Sequence, residues 1–456
     1  MDQLNAASDP PRVTPAVKPL RFPFNVVKML SNNLEVIPEQ AFEEDVVIAP
    51  GPPRMAFICG PEAVETVLMK RHGDFPKDRL QNEVLEPLFG DAMISTHGKE
   101  WRWQRGATAP LFRHDELLAY IPTMREAAEA TVEAWRNTPE GEPRLINRDM
   151  VHAAFAVISR TMLAGGAPEV LASIEKGHAA YFRNVNWWVL HRMLRLPGWF
   201  PHPGSAAMRE REKWLHDAVL DIVRERAKDK RQGSDLLARL LNAADPETGQ
   251  RMPEERLVGN IIAFLVAGFD TTALALTWTL FLISHRPEWV ERMREEVARV
   301  AGNGPVEAHH LKELVVVEQV LNEALRLYPT APVILRDIAE DVELAGVRVP
   351  AGTIGVVPIY AIHRHRRFWR NPDAFDPARF APDSGHKPTR YQFLPFGAGP
   401  RICIGAAFSV MESKIMLATF VRAADFRAEP GFTPRPTGQM FLTGSGDFPI
   451  YVTMRK

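Results

Sequence analysis

The sequence predicts a mainly α-helical protein with a smaller β-sheet region, and three observations carry that expectation. Apolar residues recur at helical spacing over most of the chain. Strand-like runs cluster in only two main places, residues 46–58 and 342–360. No glycine- or serine-rich linker divides the 456 residues. Residues 25–456 therefore read as one domain, preceded by an arm, residues 1–24.

The arm is polar and proline-rich and lacks the apolar stretch of a signal peptide, so it reads as an extended lead into the fold. The first strand run is broken by Gly51-Pro52-Pro53, a turn. Helices are expected at 61–71, 100–107, 122–137, 149–163, 206–228, 234–242, 253–285, 288–300, 311–327 and 405–423. Asp149 and Ser234 are the expected N-caps of two of them. The longest helix, about 30 residues, would run roughly 45 Å. In the second strand run, Ala345-Gly346 and Pro350-Ala351-Gly352 supply turns, and a last pairing is expected between Phe441-Leu442 and residues 450–453.

The hydrophobic share of 46% and charged share of 24% fit a globular chain with a large core. A net charge of −1 gives no support for nucleic acid or an anionic membrane surface as partner. With two cysteines, Cys59 and Cys403, a disulfide scaffold is not expected, and a reducing cytoplasm is. Residues 261–284 are apolar enough to suggest a membrane span. However, Asp270 lies within them, where insertion into lipid would cost about 2.5–3.5 kcal/mol. A buried axis is the better reading.

The chemistry concentrates in Phe396-Gly397-Ala398-Gly399-Pro400-Arg401-Ile402-Cys403-Ile404-Gly405. A thiol directly before a helix faces unpaired N–H groups and the positive end of the dipole, which favour thiolate. Gly397, Gly399 and Gly405 let the backbone bend sharply beside something flat and large. Phe396 can cover one side of the sulfur, and Arg401 supplies a cation. Such parts hold an iron porphyrin by sulfur and pair its carboxylates with charge. The plainer alternative is a turn with an inert cysteine.

With Phe-x-x-Gly-x-Arg-x-Cys-x-Gly matched at every fixed position, the chain resembles the cytochrome P450 family over essentially its whole length. The resemblance implies that family's fold, with the long central helix over the haem. It implies Cys403 as axial ligand of haem b (iron protoporphyrin IX), and insertion of one oxygen atom of O2 into an apolar small molecule. Ala267-Gly268-Phe269-Asp270-Thr271-Thr272 matches the family's central-helix motif. Read physically, Gly268 clears space for a bulky cofactor. Thr271 can bond back along the helix and open it locally, leaving room for water. Oxygen activation needs delivered protons, so Thr271 and Asp270 are the expected catalytic pair, with Asp270 feeding a relay. Alternatively Asp270 pairs with an arginine in the core.

Glu323 and Arg326, at i and i+3, share a helix face. By resemblance they form a buried network with Arg379 that steadies the cysteine loop. Trp101 and Arg105 match the family's Trp-x-x-x-Arg and, with Arg401 and Arg336, are the implied partners of the haem carboxylates. His363-Arg364-His365 lacks further ligands at metal-binding spacing and reads as structural or surface. No four-cysteine cluster site and no Gly-x-Gly-x-x-Gly fingerprint is present. Electrons are therefore expected from NAD(P)H through a separate ferredoxin and reductase, or a flavodoxin. A ferredoxin would dock near Arg102, Arg113 and Lys414.

The pocket implied by resemblance includes Phe89, Ala263, Phe264, Ala267, Ala331, Val333 and Phe441, with 185–194 as a further wall and 196–204 as a lid. Its apolar character suits a hydrophobic substrate. A cytoplasmic monomer without a membrane span is expected. A peroxygenase or isomerase on the same scaffold is the alternative, and a non-catalytic gas sensor a more distant one.

Overall fold

The computed structural model describes residues 9–20, 24–139, 141–163, 191, 197, 205–228, 236–244 and 248–455. The chain forms two compact units. One comprises Met1–Pro76, Met124–Ala153 and Thr271–Lys456; the other comprises Lys77–Thr123 and Ala154–Asp270.

The first unit contains the sheets. Strands β1 (Val46–Ala49) and β2 (Met55–Ile58) form the expected hairpin around Gly51-Pro52-Pro53, with Val46 opposite Ile58. Further on come β3 (Arg144–Leu145), β4 (Ile334–Ile338), β5 (Val342–Leu344), β6 (Val347–Val349) and β7 (Thr353–Val357). The main sheet has the order β1-β2-β7-β4. β7 runs parallel to β2 and antiparallel to β4, which sets Arg336 opposite Gly355. The β5–β6 hairpin turns at Ala345 and Gly346, both at positive φ.

The C-terminal strands are β8 (Ala424–Ala428), β9 (Pro436–Gly438), β10 (Leu442–Gly444) and β11 (Pro449–Met454). Their pairing corrects the expected one. β10 pairs with β9, whereas β11 lies between β3 and β8. Gly438 and Gly444 allow the tight β9–β10 ribbon, and no alternating pattern announces so short a pair.

Helices of this unit include Pro287–Ala301, Val315–Leu327 and Ala406–Ala423. The last is buried without interruption from Met411 to Val421, the pattern of a helix surrounded by protein. Trp278 stacks on Tyr328 at 3.7 Å, and Trp135 meets Phe420 at 4.7 Å, so aromatic pairs knit the core. The described part of the arm, residues 9–20, contains no helix. Val13 N–H donates to the Tyr360 hydroxyl at 3.1 Å, and the Tyr328 hydroxyl donates to the Pro11 carbonyl at 2.8 Å.

The second unit is helical. It holds Arg79–Phe89, Gly98–Thr108, Ser205–Lys228 and Leu236–Asn242. The helix Arg79–Phe89 was not expected, because Pro87 and a polar surface disguise it; Asp78 caps it by accepting from Gln81 N–H at 3.0 Å. Fully buried Asn260 and Gln104 tie this unit internally. Asn260 donates to the Gln104 side-chain Oε1 at 2.6 Å and accepts from Met93 N–H at 3.0 Å.

The long central helix, Glu254–Ser284, begins in the second unit and ends in the first. It is the one helix among the described residues long and apolar enough to cross a membrane. Its most apolar window is 78% buried inside the protein. The helix Ile146–Leu163 starts three residues before the expected cap. Asp149 instead accepts from Trp135 Nε1 at 2.8 Å and from Arg144 at 2.6 Å. Ser234 and the residues of the expected lid apart from Pro197 lie outside the described residues, as does the wall at 185–194 apart from His191.

Candidate active site

The candidate residues fall in both units. In the first unit the cysteine loop is held by its backbone. Gly397 and Gly399 both adopt positive φ, near 73° and 74°, which a side chain would resist. At Gly399 a Cβ would stand 1.8 Å from the Leu68 carbonyl oxygen, so this close approach admits glycine only. Cys403 N–H donates to the Phe396 carbonyl at 2.9 Å and closes the loop. Gly405 is the N-cap of the helix Ala406–Ala423, and a Cβ there would stand 4.0 Å from Cys403 Sγ. The sulfur therefore sits at the mouth of a helix N-terminus. Cys403 is exposed, while Cys59 is buried and burial pushes its thiol pKa far up.

Two guanidiniums accompany the thiol. Arg336 is 7% exposed and donates to the Leu335 carbonyl at 2.8 Å; none of its bonds among the described residues reaches a carboxylate. Burial pushes its pKa down to about 10. Burial and, secondarily, the nearby Arg336 cation push Arg401 down to about 10 as well. Arg336 is desolvated and its charge bears on the half-buried Arg401, so an anionic group is favourable here. A dianionic group with a metal for the sulfur meets both demands, so the residues fit a haem.

Glu323, Arg326 and Arg379 come together. Glu323 and Arg326 are 0% exposed and make a two-bond pair at 2.7 and 2.8 Å. Arg379 Nε donates to Glu323 at 3.0 Å, and Asp376 N–H adds a bond at 2.8 Å. Arg326 also donates to the carbonyls of His363, Pro372 and Ala374. The network thus threads the segment that leads toward the cysteine loop. Ala331, Val333 and Phe441 are half-buried in this unit.

His363 belongs to this assembly, a role that its sequence neighbourhood does not announce. Its ring Nε2 accepts from Leu394 N–H at 2.9 Å, two residues before Phe396. Burial, then the Arg326 charge, push its pKa down to about 3, so the ring is neutral. His365 is also fully buried, and no group of three metal-ligating side chains exists among the described residues. Lys414 corrects the expected docking surface: it is buried and bonded to Glu318 at 2.6 Å.

Thr271 is half-buried and begins the first unit's share of the central helix. The helix is α-helical throughout, without the expected local opening.

In the second unit, Ala267 and Gly268 are half-buried and Asp270 is buried on the same helix. A Cβ on Gly268 would meet Ile158 Cδ1 at 2.8 Å, so packing against Ile158 already accounts for this glycine. Phe89, Ala263 and Phe264 are buried; Phe264 also meets Phe112 at 5.6 Å. Trp101 and Arg105 are half-buried, one turn apart on Gly98–Thr108. Arg102 and Arg113 are exposed.

Comparison with known proteins adds to this geometry. A family model described as Cytochrome P450 matches residues 19–449. The chain is 30% identical to a pentalenene oxygenase of Streptomyces avermitilis, the alignment covering 86% of each chain. It is 30% identical to a cyclooctat-9-en-7-ol 5-monooxygenase of Streptomyces melanosporofaciens, over 84% of this chain and 82% of the other. It is 31% identical to a cytokinin hydroxylase of Arabidopsis thaliana, over 82% and 74%.

Proposed function

The chain belongs to the cytochrome P450 family and is a monooxygenase, and we propose that it hydroxylates an apolar small molecule with electrons from a separate redox protein. Family membership implies haem and O2. The observation that supports the site is the Cys403 loop, with its exposed thiol at a helix mouth, accompanied by the buried Arg336 and the half-buried Arg401. When bound, the haem would supply the activation of dioxygen, and a thiolate ligand would donate electron density to it.

Cys403 would hold the iron through sulfur. Arg336 and Arg401, with Trp101 and Arg105, pair the carboxylates, and Phe396, Gly397 and Gly405 shape the loop around the ligand. Thr271 would offer its hydroxyl as a hydrogen-bond partner, and Asp270 would hold a proton for delivery toward it. Ala263, Phe264, Ala267, Phe89, Ala331, Val333 and Phe441 present apolar surface that keeps water out. Glu323, Arg326 and Arg379 steady the loop without touching substrate. The donor is a ferredoxin with its reductase, or a flavodoxin, fed by NAD(P)H, and the protein works as a cytoplasmic monomer.

The deciding experiment is the carbon monoxide difference spectrum of the reduced, haem-loaded protein. A thiolate-type, red-shifted Soret band is expected, lost in Cys403→His. An imidazole-type band in folded wild type would remove Cys403 from the iron. The peroxygenase alternative is disfavoured by the Asp270-Thr271 pair, and turnover with peroxide outpacing turnover with reductant would reinstate it. A substrate library that includes pentalenene and cyclooctat-9-en-7-ol, screened for the low-spin to high-spin shift, identifies the substrate class.

A further inference from the structure

We propose that Thr272 and Ser409 form a positioning clasp that fixes the rotation of the central helix against the helix that follows Cys403. The proposal rests on the reading of Asp270 and Thr271 as the proton-delivering pair. The Thr272 and Ser409 hydroxyls lie 3.1 Å apart, joining residues 137 positions distant in sequence, both within the first unit. Helical threonines usually bond back along their own helix. Thr277 and Thr279 do so on the central helix, at 2.7 and 2.6 Å, and Thr419 does so on the cysteine-side helix at 2.8 Å. Thr272 instead directs its hydroxyl across to another helix.

The proton arrangement follows from burial. Thr272 is 1% exposed, whereas Ser409 is half-buried. If Ser409 donated, the Thr272 proton would need another acceptor in the core, and none is present among the described residues. Thr272 therefore donates to Ser409. Ser409 N–H in turn donates to the Gly405 carbonyl at 2.9 Å, and Gly405 is the residue whose Cβ position lies 4.0 Å from Cys403 Sγ. Two hydrogen bonds thus connect the residue after Thr271 to the residue beside the sulfur. Successive side chains of an α-helix project about 100° apart, so a small rotation at 272 swings Thr271 by the same angle. A helix pinned at 272 cannot make that rotation without breaking the bond.

The test uses the haem-loaded protein and its Thr272→Val, Ser409→Ala, double and Thr272→Ser variants. Two readouts are taken: amide hydrogen exchange over residues 266–274, and hydrogen peroxide formed per NAD(P)H consumed, using a surrogate ferredoxin pair and a ligand from the spin-state screen. Each single loss of a hydroxyl is expected to raise both by about fivefold, the factor one net hydrogen bond carries. The double variant should be no worse than either single one, and Thr272→Ser should retain wild-type values. Additive losses in the double variant, or unchanged exchange and peroxide yield in Thr272→Val, would overturn the clasp. If Thr272→Val does not fold, Ser409→Ala against wild type decides the matter by the same two readouts, since it removes one half-buried hydroxyl only. Failure of Cys403 as ligand appears separately, in the wild-type carbon monoxide spectrum; the exchange readout stands without it.

Discussion

Burial keeps His363 neutral, and that neutrality is what lets its Nε2 accept the Leu394 N–H. The unfolded chain takes up a proton at this ring below about pH 6.5, while the folded chain does not until about pH 3. Its contribution is therefore fully present above pH 6.5 and is lost as pH falls toward 3, at about 1.4 kcal/mol per pH unit. Urea unfolding at pH 7, 6 and 5 should show this slope, and His363→Asn should lose the part due to one proton. An unchanged slope in the variant would mean that other groups set the acid response. Glu323 poses the converse case. Glu323→Gln leaves Arg326 and Arg379 buried with less than their charge balanced, and about 3–5 kcal/mol of stability should disappear in chemical denaturation. A loss under about 1 kcal/mol would contradict the network's role. Glu323 and Arg326 were legible because i, i+3 spacing puts them on one helix face. The His363 bond was not, because a ring accepting from a backbone 31 residues away leaves no periodic trace.

At the scale of elements, two glycines of the central helix separate motif from packing. Gly268 belongs to the recognisable motif, yet an added Cβ would meet a side chain and no backbone, Ile158 Cδ1 at 2.8 Å and Cγ1 at 2.9 Å. Gly259 belongs to no motif, and an added Cβ there would stand 2.3 Å from the Phe89 carbonyl oxygen, a backbone atom. Alanine should therefore be costlier at 259. Gly259→Ala is expected to destabilise by about 1–3 kcal/mol through forced backbone movement. Gly268→Ala should cost less, because the Ile158 side chain can shift where the Phe89 backbone cannot, and a gain of about 1 kcal/mol in helix propensity offsets part of that shift. Thermal unfolding of the two variants settles the order, and equal losses would refute it. Long helices such as Glu254–Ser284 and Ala406–Ala423 were readable to within a residue or two, since an apolar run of that length has few alternatives. The helix Arg79–Phe89 and the ribbon β9–β10 were not. One hides behind Pro87 and polar residues, and the other owes its pairing to contacts outside itself.

For the whole molecule, apolar periodicity identified what is buried but not which segments share a core. The first unit is assembled from three separated stretches and the second from two, and no composition shift marks those borders. Charge is similarly silent in sum: a net −1 gives no global field to steer a partner. Any electrostatic docking must then come from local exposed cations, and with Lys414 buried against Glu318, the exposed candidates from the sequence are Arg102 and Arg113. Exposed charges act over roughly a Debye length, about 8 Å at physiological salt and about 3 Å at 1 M. Reduction of the haem-loaded protein by an acidic ferredoxin should therefore slow as salt rises from about 0.05 to about 1 M. Arg102→Glu and Arg113→Glu should each slow it at low salt and flatten its salt dependence, because reversing a rim charge acts on association rate. Lys414→Met should leave that dependence alone, and Glu318→Gln should lower stability, since it leaves the buried Lys414 ammonium without its charged partner. A salt-independent rate in wild type would place electron entry on uncharged surface, and a Lys414→Met variant with altered salt dependence would return Lys414 to the docking surface.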